Sequence, residues 1–205
     1  SYCMPLEGLK FLPQESLLTA SEIALVTEAA VASGFRKFRI TGGEPTLRKD
    51  LIEIVAGMRK VAPEADIAMT TNGILLPGMA HDLHAAGLDR VNIHLDTLDG
   101  ERLRQIMRLA DLDRIMAGIE AATEAGLTPI KLNSVVVKDV NDLDVAEMAR
   151  LTIDQPIHVR FIELMPFGSG EPEEIARQQG VSSEESRQKI ESELGALLPD
   201  PSPDP

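Results

Sequence analysis

Five short runs rich in β-branched and apolar residues, near 37–41, 66–71, 90–95, 129–137 and 156–164, are separated by stretches with helical periodicity. No other feature restricts the fold as strongly. Strands joined through helices pair in parallel, and the connecting helices cover the sheet. Helices are expected near 20–33, 50–61, 78–86, 100–108, 112–125 and 145–153. Gly34, Gly87 and Gly126 each follow one of these patterns, where a helix-ending glycine belongs. Thr19 or Ser21, with Glu22 downstream, marks one helix start, and Asp111 marks another. No hairpin signal joins the runs, so an α/β parallel sheet or barrel is expected and a β-sandwich is not. Beyond Phe167 the character changes: 168–172 reads as a loop, 182–198 as a polar helix and 199–205 as a proline-rich linker. The expected division is therefore a core over 1–166, a loop and helix over 167–198, and a linker over 199–205.

Strand side chains alternate between faces. Phe38 and Ile40 oppose Arg39 and Thr41, and Ile67 and Met69 oppose Thr70 and Asn72. Val91, Ile93 and Leu95 oppose Asn92 and His94; Ile130 and Leu132 oppose Lys131 and Asn133; Val159 and Phe161 oppose His158 and Arg160. If the apolar faces meet the helices, all five strands send polar residues to a common interior, unlike a barrel lumen filled by branched apolar side chains. Solvated faces of an open sheet are the alternative. Arg39, Thr70, Lys131 and Arg160 converging in this way would form a pocket for a polar, anionic ligand.

Composition narrows the function. With 3% aromatic residues and no Trp, the core must be aliphatic and methionine-rich, and Met58, Met69, Met79, Met107, Met116 and Met148 are read as filler for it. A net charge of −13 argues against a nucleic-acid groove, which needs a basic footprint, but leaves room for a nucleotide where a few cations converge. No apolar run approaches the ~20 residues that span a bilayer. The single cysteine, Cys3, excludes an internal disulfide and fits a reducing compartment, so a cytoplasmic location is expected. His81 and His84 read as a solvated helix face, as does the acidic run 184–193.

Three short motifs carry the chemistry. Gly42-Gly43-Glu44-Pro45 follows the first strand, where glycines allow close approach of backbone to a ligand and Glu44 can accept from an ammonium group. Thr70-Thr71-Asn72-Gly73 follows the second, and Tyr2-Cys3-Met4-Pro5 opens the chain. Singly, each has an ordinary reading, as a βα turn or an incidental thiol. Together with RITGGEPTLRKDL, NIHLDTLD, KLNSVVVKDVND and RFIELMPFG, in that order, they make the chain resemble the radical S-adenosylmethionine enzymes. Among these it is most similar to the GTP 3',8-cyclases of molybdenum cofactor biosynthesis, from residue 1 to about 165 and more weakly beyond.

The resemblance implies a partial (βα)6 TIM-like barrel without its first strand and without a C-terminal cluster domain. It implies that Cys3 is the third cysteine of a CxxxCxxC motif holding a 4Fe-4S cluster whose open iron chelates S-adenosylmethionine. Tyr2, Gly43 and Met165 match positions that contact S-adenosylmethionine, with Gly42 and Glu44 completing the glycine motif. His94 stands where a serine commonly makes such a contact. Arg39, Thr70 and Lys131 match positions that hold GTP, and two of the three are cationic, as a triphosphate requires. The implied reaction splits S-adenosylmethionine to a 5'-deoxyadenosyl radical, which takes a ribose hydrogen from GTP before the sugar closes on C8 of guanine. The implied partners are a reductant protein and, downstream, cyclic pyranopterin monophosphate synthase. A homodimer is compatible with this reading, whereas nucleic acid and membrane are not part of it. Two cluster cysteines, a first strand and a GTP-contacting arginine would precede residue 1, and three cysteines with a second cluster would follow, so the chain by itself is expected to be inactive. A peptide-modifying or haem-maturation radical enzyme, or a non-catalytic nucleotide-binding module on the same barrel, are the competing readings.

Overall fold

A computed structural model describes residues 13, 16–107, 110–165 and 178–199. Strands β1 (Lys37–Ile40), β2 (Asp66–Thr71), β3 (Arg90–His94), β4 (Ile130–Val136) and β5 (Ile157–Glu163) form one parallel sheet in the order of the sequence. The helices are α1 (Ala20–Ala32), α2 (Leu51–Val61), α3 (Ala80–Ala85), α4 (Gly100–Ile106), α5 (Leu112–Glu124), α6 (Val145–Asp154) and α7 (Ser183–Leu194). Each new strand adds beside the one before it, and the order never reverses. A doubly wound sheet has a switch point where the order turns back; an uninterrupted order is that of a barrel wall. Among the described residues the five strands form part of a TIM-like barrel wall, as expected.

Local chemistry sets the element ends. Thr19, not Ser21, caps α1: its hydroxyl accepts from the Glu22 amide at 3.3 Å, and the Glu22 carboxylate accepts from the Thr19 amide at 2.8 Å, a reciprocal capping box. The Asp111 carboxylate accepts from the Arg114 amide at the start of α5. Gly34, Gly87 and Gly126 all adopt positive φ at the ends of α1, α3 and α5. The last helix, expected to reach Leu198, stops at Leu194, because Gly195 turns the chain at φ +91°. The loop expected at 168–172 lies outside the described residues.

The apolar strand face meets the helices. Ile67, Met69, Val91, Ile93, Leu95, Ile130 and Leu132 are buried in one cluster with Val55 and Met58 of α2, Leu83 of α3, Ile115 and Ile119 of α5 and Met148 of α6. Each such side chain contributes about 1.5–3 kcal/mol relative to exposure. The methionines behave as read: Met58, Met69 and Met148 are buried, and Met79, Met107 and Met116 pack against the same cluster. A smaller cluster of Val136, Val145, Ala149, Val181 and Ile190 attaches α7 beside α6. Polar contacts complete that attachment. The Ser183 amide donates to Glu163 at 2.6 Å, and the Lys189 ammonium donates to Asp142 at 2.5 Å. The Glu163 carboxyl is held below its ordinary range by the bonds from Ser183, and that of Glu185 by those from Ser182. Burial raises Asp142, but the Lys189 ammonium and backbone amide bonds together outweigh it, so the net direction is also down.

His81 and His84 are exposed on α3. Among the described residues no three His, Cys, Asp or Glu side chains are grouped to hold a metal ion, and no helix is long and apolar enough to cross a membrane.

Candidate functional site

The glycine motif and the Thr-Thr-Asn-Gly motif are one structure. Beyond β1 the chain runs through exposed Thr41, Gly42 and Gly43 into a short 3-10 turn, Pro45–Leu47. Glu44 caps that turn: its Oε1 accepts from the Thr46 amide at 3.1 Å and the Thr46 hydroxyl at 2.6 Å. The same oxygen accepts from the Thr71 hydroxyl at 2.7 Å, and Oε2 accepts from the Asn72 amide at 2.8 Å. Glu44 therefore ties the carboxyl ends of β1 and β2 together. Past Thr71 the chain turns on Gly73 at φ +80°, with the Gly73 amide donating to the Thr71 hydroxyl and the Ile74 amide to Asn72 Oδ1. Helix α5 lies directly against this turn at Gly118, where a Cβ would come within 2.1 Å of the Gly73 carbonyl oxygen. Sequence reasoning missed Gly118; its signal was an isolated glycine inside a helical pattern.

A ligand has backbone to approach here. A Cβ at Gly42 or Gly43 would meet nothing within 4 Å, so packing does not account for either glycine among the described residues. Glu44 Oε1 carries three hydrogen bonds and Oε2 only one. A carboxylate oxygen accepts about two bonds along its lone pairs, so Oε2 retains acceptor capacity for an ammonium group.

The polar strand face forms two rows. Register places Thr70 opposite Asn92, Asn92 opposite Lys131, and Lys131 opposite His158. One level towards the carboxyl ends, His94, Asn133 and Arg160 stand side by side. Asn92 and Lys131 are fully buried, at 0% exposure, whereas Thr70, His94, Asn133 and Arg160 are half-buried. Lysine is almost never buried this completely unless paired. Arg39 is on the same face but opposite Ala68, one level nearer the amino ends, and exposed. The structure thus brings Thr70 and Lys131 together and sets Arg39 at the rim.

His94 is oriented by a buried carboxylate. Its Nε2 lies 3.0 Å from Asp96 Oδ2, and Asp96 is 1% exposed. The other Asp96 oxygen accepts from the Val135 amide at 2.8 Å, and the Asp96 carbonyl accepts from Asn141 Nδ2 at 2.8 Å. Asp96 and Asn141 were not singled out from sequence. The acid two positions beyond a strand histidine was visible, but its burial was not. Met165 is exposed. Tyr2 and Cys3 lie outside the described residues. The clefts beside α7 are lined by none of these side chains.

A parallel barrel wall with a glycine strip at its carboxyl end and a polar inner face belongs to a defined class. The chain belongs to the radical SAM superfamily, whose family model matches residues 1–152. The family implies a 4Fe-4S cluster and S-adenosylmethionine as cofactors. More narrowly, the chain is 48% identical over 199 residues to a GTP 3',8-cyclase of Heliobacterium modesticaldum, covering 97% of this chain and 60% of that protein. It is 46% identical over 198 residues to a GTP 3',8-cyclase of Pelotomaculum thermopropionicum, again covering 97% and 60%. The chain thus spans about 60% of the length of these relatives. Among solved structures, a radical SAM methyltransferase from Sphaerobacter thermophilus superposes with TM-score 0.63 at 18% identity, over 87% of this chain and 56% of that one. Methylornithine synthase superposes with TM-score 0.64 at 17% identity, over 88% and 54%. At such identities these two show the fold alone.

Proposed function

We propose that this chain is the central barrel of an enzyme that converts GTP to (8S)-3',8-cyclo-7,8-dihydroguanosine 5'-triphosphate in molybdenum cofactor biosynthesis. One observation carries the reading: a fully buried lysine, Lys131, shares the inner face with Thr70 in a chain 46–48% identical to proteins named for that reaction. Lys131 and the rim residue Arg39 bind the triphosphate, since phosphate oxygens only accept hydrogen bonds and both side chains only donate. Thr70 adds a hydroxyl on the same face.

The residues at the strand ends fit a small zwitterion. Gly42 and Gly43 offer unobstructed backbone, and Glu44 Oε2 offers an acceptor for the ammonium of S-adenosylmethionine. His94, 3.0 Å from Asp96, stands in place of the family's serine, and Met165 and Tyr2 match further positions of cofactor contact. Cys3 supplies one thiolate of the cluster, and a second cluster belongs to the C-terminal region of the whole enzyme. When bound, the cluster and S-adenosylmethionine would supply the radical chemistry for hydrogen abstraction from the substrate. The protein's share is to hold the ribose against that position and to keep water out. A reductant protein and a downstream cyclic pyranopterin monophosphate synthase are the functional partners, in the cytoplasm.

The test uses the full-length natural protein with its iron–sulfur content reconstituted without oxygen. Release of 5'-deoxyadenosine on reduction should rise with GTP and not with ATP or a peptide. Release indifferent to GTP refutes the substrate, and no release from cluster-loaded protein refutes the enzyme in favour of a binding module.

A further inference from the structure

Asn92 is the middle member of the Thr70–Asn92–Lys131 row, and nothing in the motifs assigns it a role. It is completely buried, and both its Oδ1 and its Nδ2 lack a hydrogen-bond partner. Buried side-chain polar atoms almost always have a partner, because an unsatisfied one forfeits the hydrogen bonds it made to water. An isosteric leucine would remove that penalty, so an amide kept here calls for an explanation outside the fold of the free chain. Its neighbours in register on either side are the two inner-face residues assigned to GTP.

We infer that Asn92 is a substrate-recognition residue that reads the nucleoside part of GTP rather than its phosphates. This rests on the reading of the inner face as the GTP site. The chemistry of the side chain makes the choice. An amide presents an acceptor and a donor side by side, and a phosphate would satisfy only the donor. A ribose hydroxyl, or the guanine edge with its 2-amino donor beside the N3 acceptor, satisfies both. Thr70 to Lys131 spans two inter-strand spacings, ~10 Å, which matches the width of a nucleoside. Lys131 and Arg39 take the anionic end, and Asn92 fixes which atoms of the sugar or base stand above the row.

The experiment compares the wild-type full-length protein with Asn92→Leu and Asn92→Ala, by thermal melting without ligand and by calorimetric titration. The titrants are GTP, 2'-deoxyGTP, inosine triphosphate, inorganic triphosphate and S-adenosylmethionine. Asn92→Leu should melt at or above the wild-type temperature while its affinity for GTP falls about tenfold or more. Affinities for inorganic triphosphate and S-adenosylmethionine should stay within about twofold. The analogue that binds wild type and variant alike identifies the atom contacted: 2'-deoxyGTP for the ribose hydroxyl, inosine triphosphate for the base edge. Unchanged GTP affinity in the variants, with wild type binding GTP, overturns this inference alone. So does a lowered melting temperature or loss of fold in both variants, which would assign the amide to structure. Equal losses for GTP and inorganic triphosphate overturn the nucleoside assignment. Wild-type protein that binds S-adenosylmethionine but not GTP overturns the reading of the site together with the inference.

Discussion

Replacing Glu44 tests whether the glycine motif acts through its carboxylate as a clamp. The carboxylate accepts four hydrogen bonds, from both donors of Thr46, from the Thr71 hydroxyl and from the Asn72 amide. A hydrogen bond to a charged group is worth about 1.5–3 kcal/mol net, but three of these share one oxygen and the residue is half-buried, so the sum is well below four times that value. Glu44→Ala should cost about 3 kcal/mol, a large part of a typical domain stability of about 5–15 kcal/mol. Glu44→Gln should cost about half as much. Its oxygen can keep the Thr46 and Thr71 donors, whereas its NH2 faces the Asn72 amide donor to donor. Urea unfolding monitored by circular dichroism reads the loss as a lower midpoint at unchanged slope. Hydrogen exchange should quicken first at the Asn72 and Gly73 amides. The cycle of Glu44→Gln with Thr71→Val should show a coupling above about 0.5 kcal/mol. A midpoint shift below about 0.5 kcal/mol for Glu44→Ala, with Asn72 exchange unchanged, refutes the clamp.

Three further outcomes are expected. Gly118→Ala places a methyl within 2.1 Å of the Gly73 oxygen, so α5 must shift; the cost should be at least about 3 kcal/mol by urea unfolding, and a loss under about 1 kcal/mol would contradict this packing. Lys131→Met keeps the buried stem and removes the charge; GTP affinity should fall tenfold or more with S-adenosylmethionine affinity unchanged, and equal losses in a folded variant would contradict the assignment. Helix α7 should detach in acid before the barrel opens, because Glu163, Glu185 and Asp142 all have lowered folded-state pKa values. Lowered values mean that their contribution is full above the ordinary carboxylate range of about 4 and is lost as pH falls through the folded values. Exchange at residues 183–194 should therefore rise below about pH 4 while β2–β4 stay protected, and uniform exposure of the whole chain would contradict it.

The elements were legible because each obeys a local rule. Every expected strand and helix in the described part forms within a few residues of its expected bounds, and Thr19, Asp111 and Gly34 act as their residue types suggest. The exception, α7, ended early at Gly195, where positive φ overrides helical composition. The site was half legible. Alternation along each strand identified the polar face, and the motifs identified its ends. What stayed hidden depends on residues far apart in sequence. The bonds from Thr71 and Asn72 to Glu44, the approach of Gly118 to Gly73, and the bonds from Val135 and Asn141 to Asp96 all join separate βα units.

The sequence by itself determined the parallel α/β class, the polar inner face and the motif residues, since period, capping and turn chemistry act within a few neighbouring positions. Tertiary structure decided which polar residues share a level. Register between strands put Thr70, Asn92 and Lys131 in one row and left Arg39 at the rim. It also decided burial: Lys131 and Asn92 are buried in the free chain while His158, in the same row, stays exposed. Burial and register are set by how the sheet curves and by what lies across it, and neither quantity is carried by any short stretch of chain.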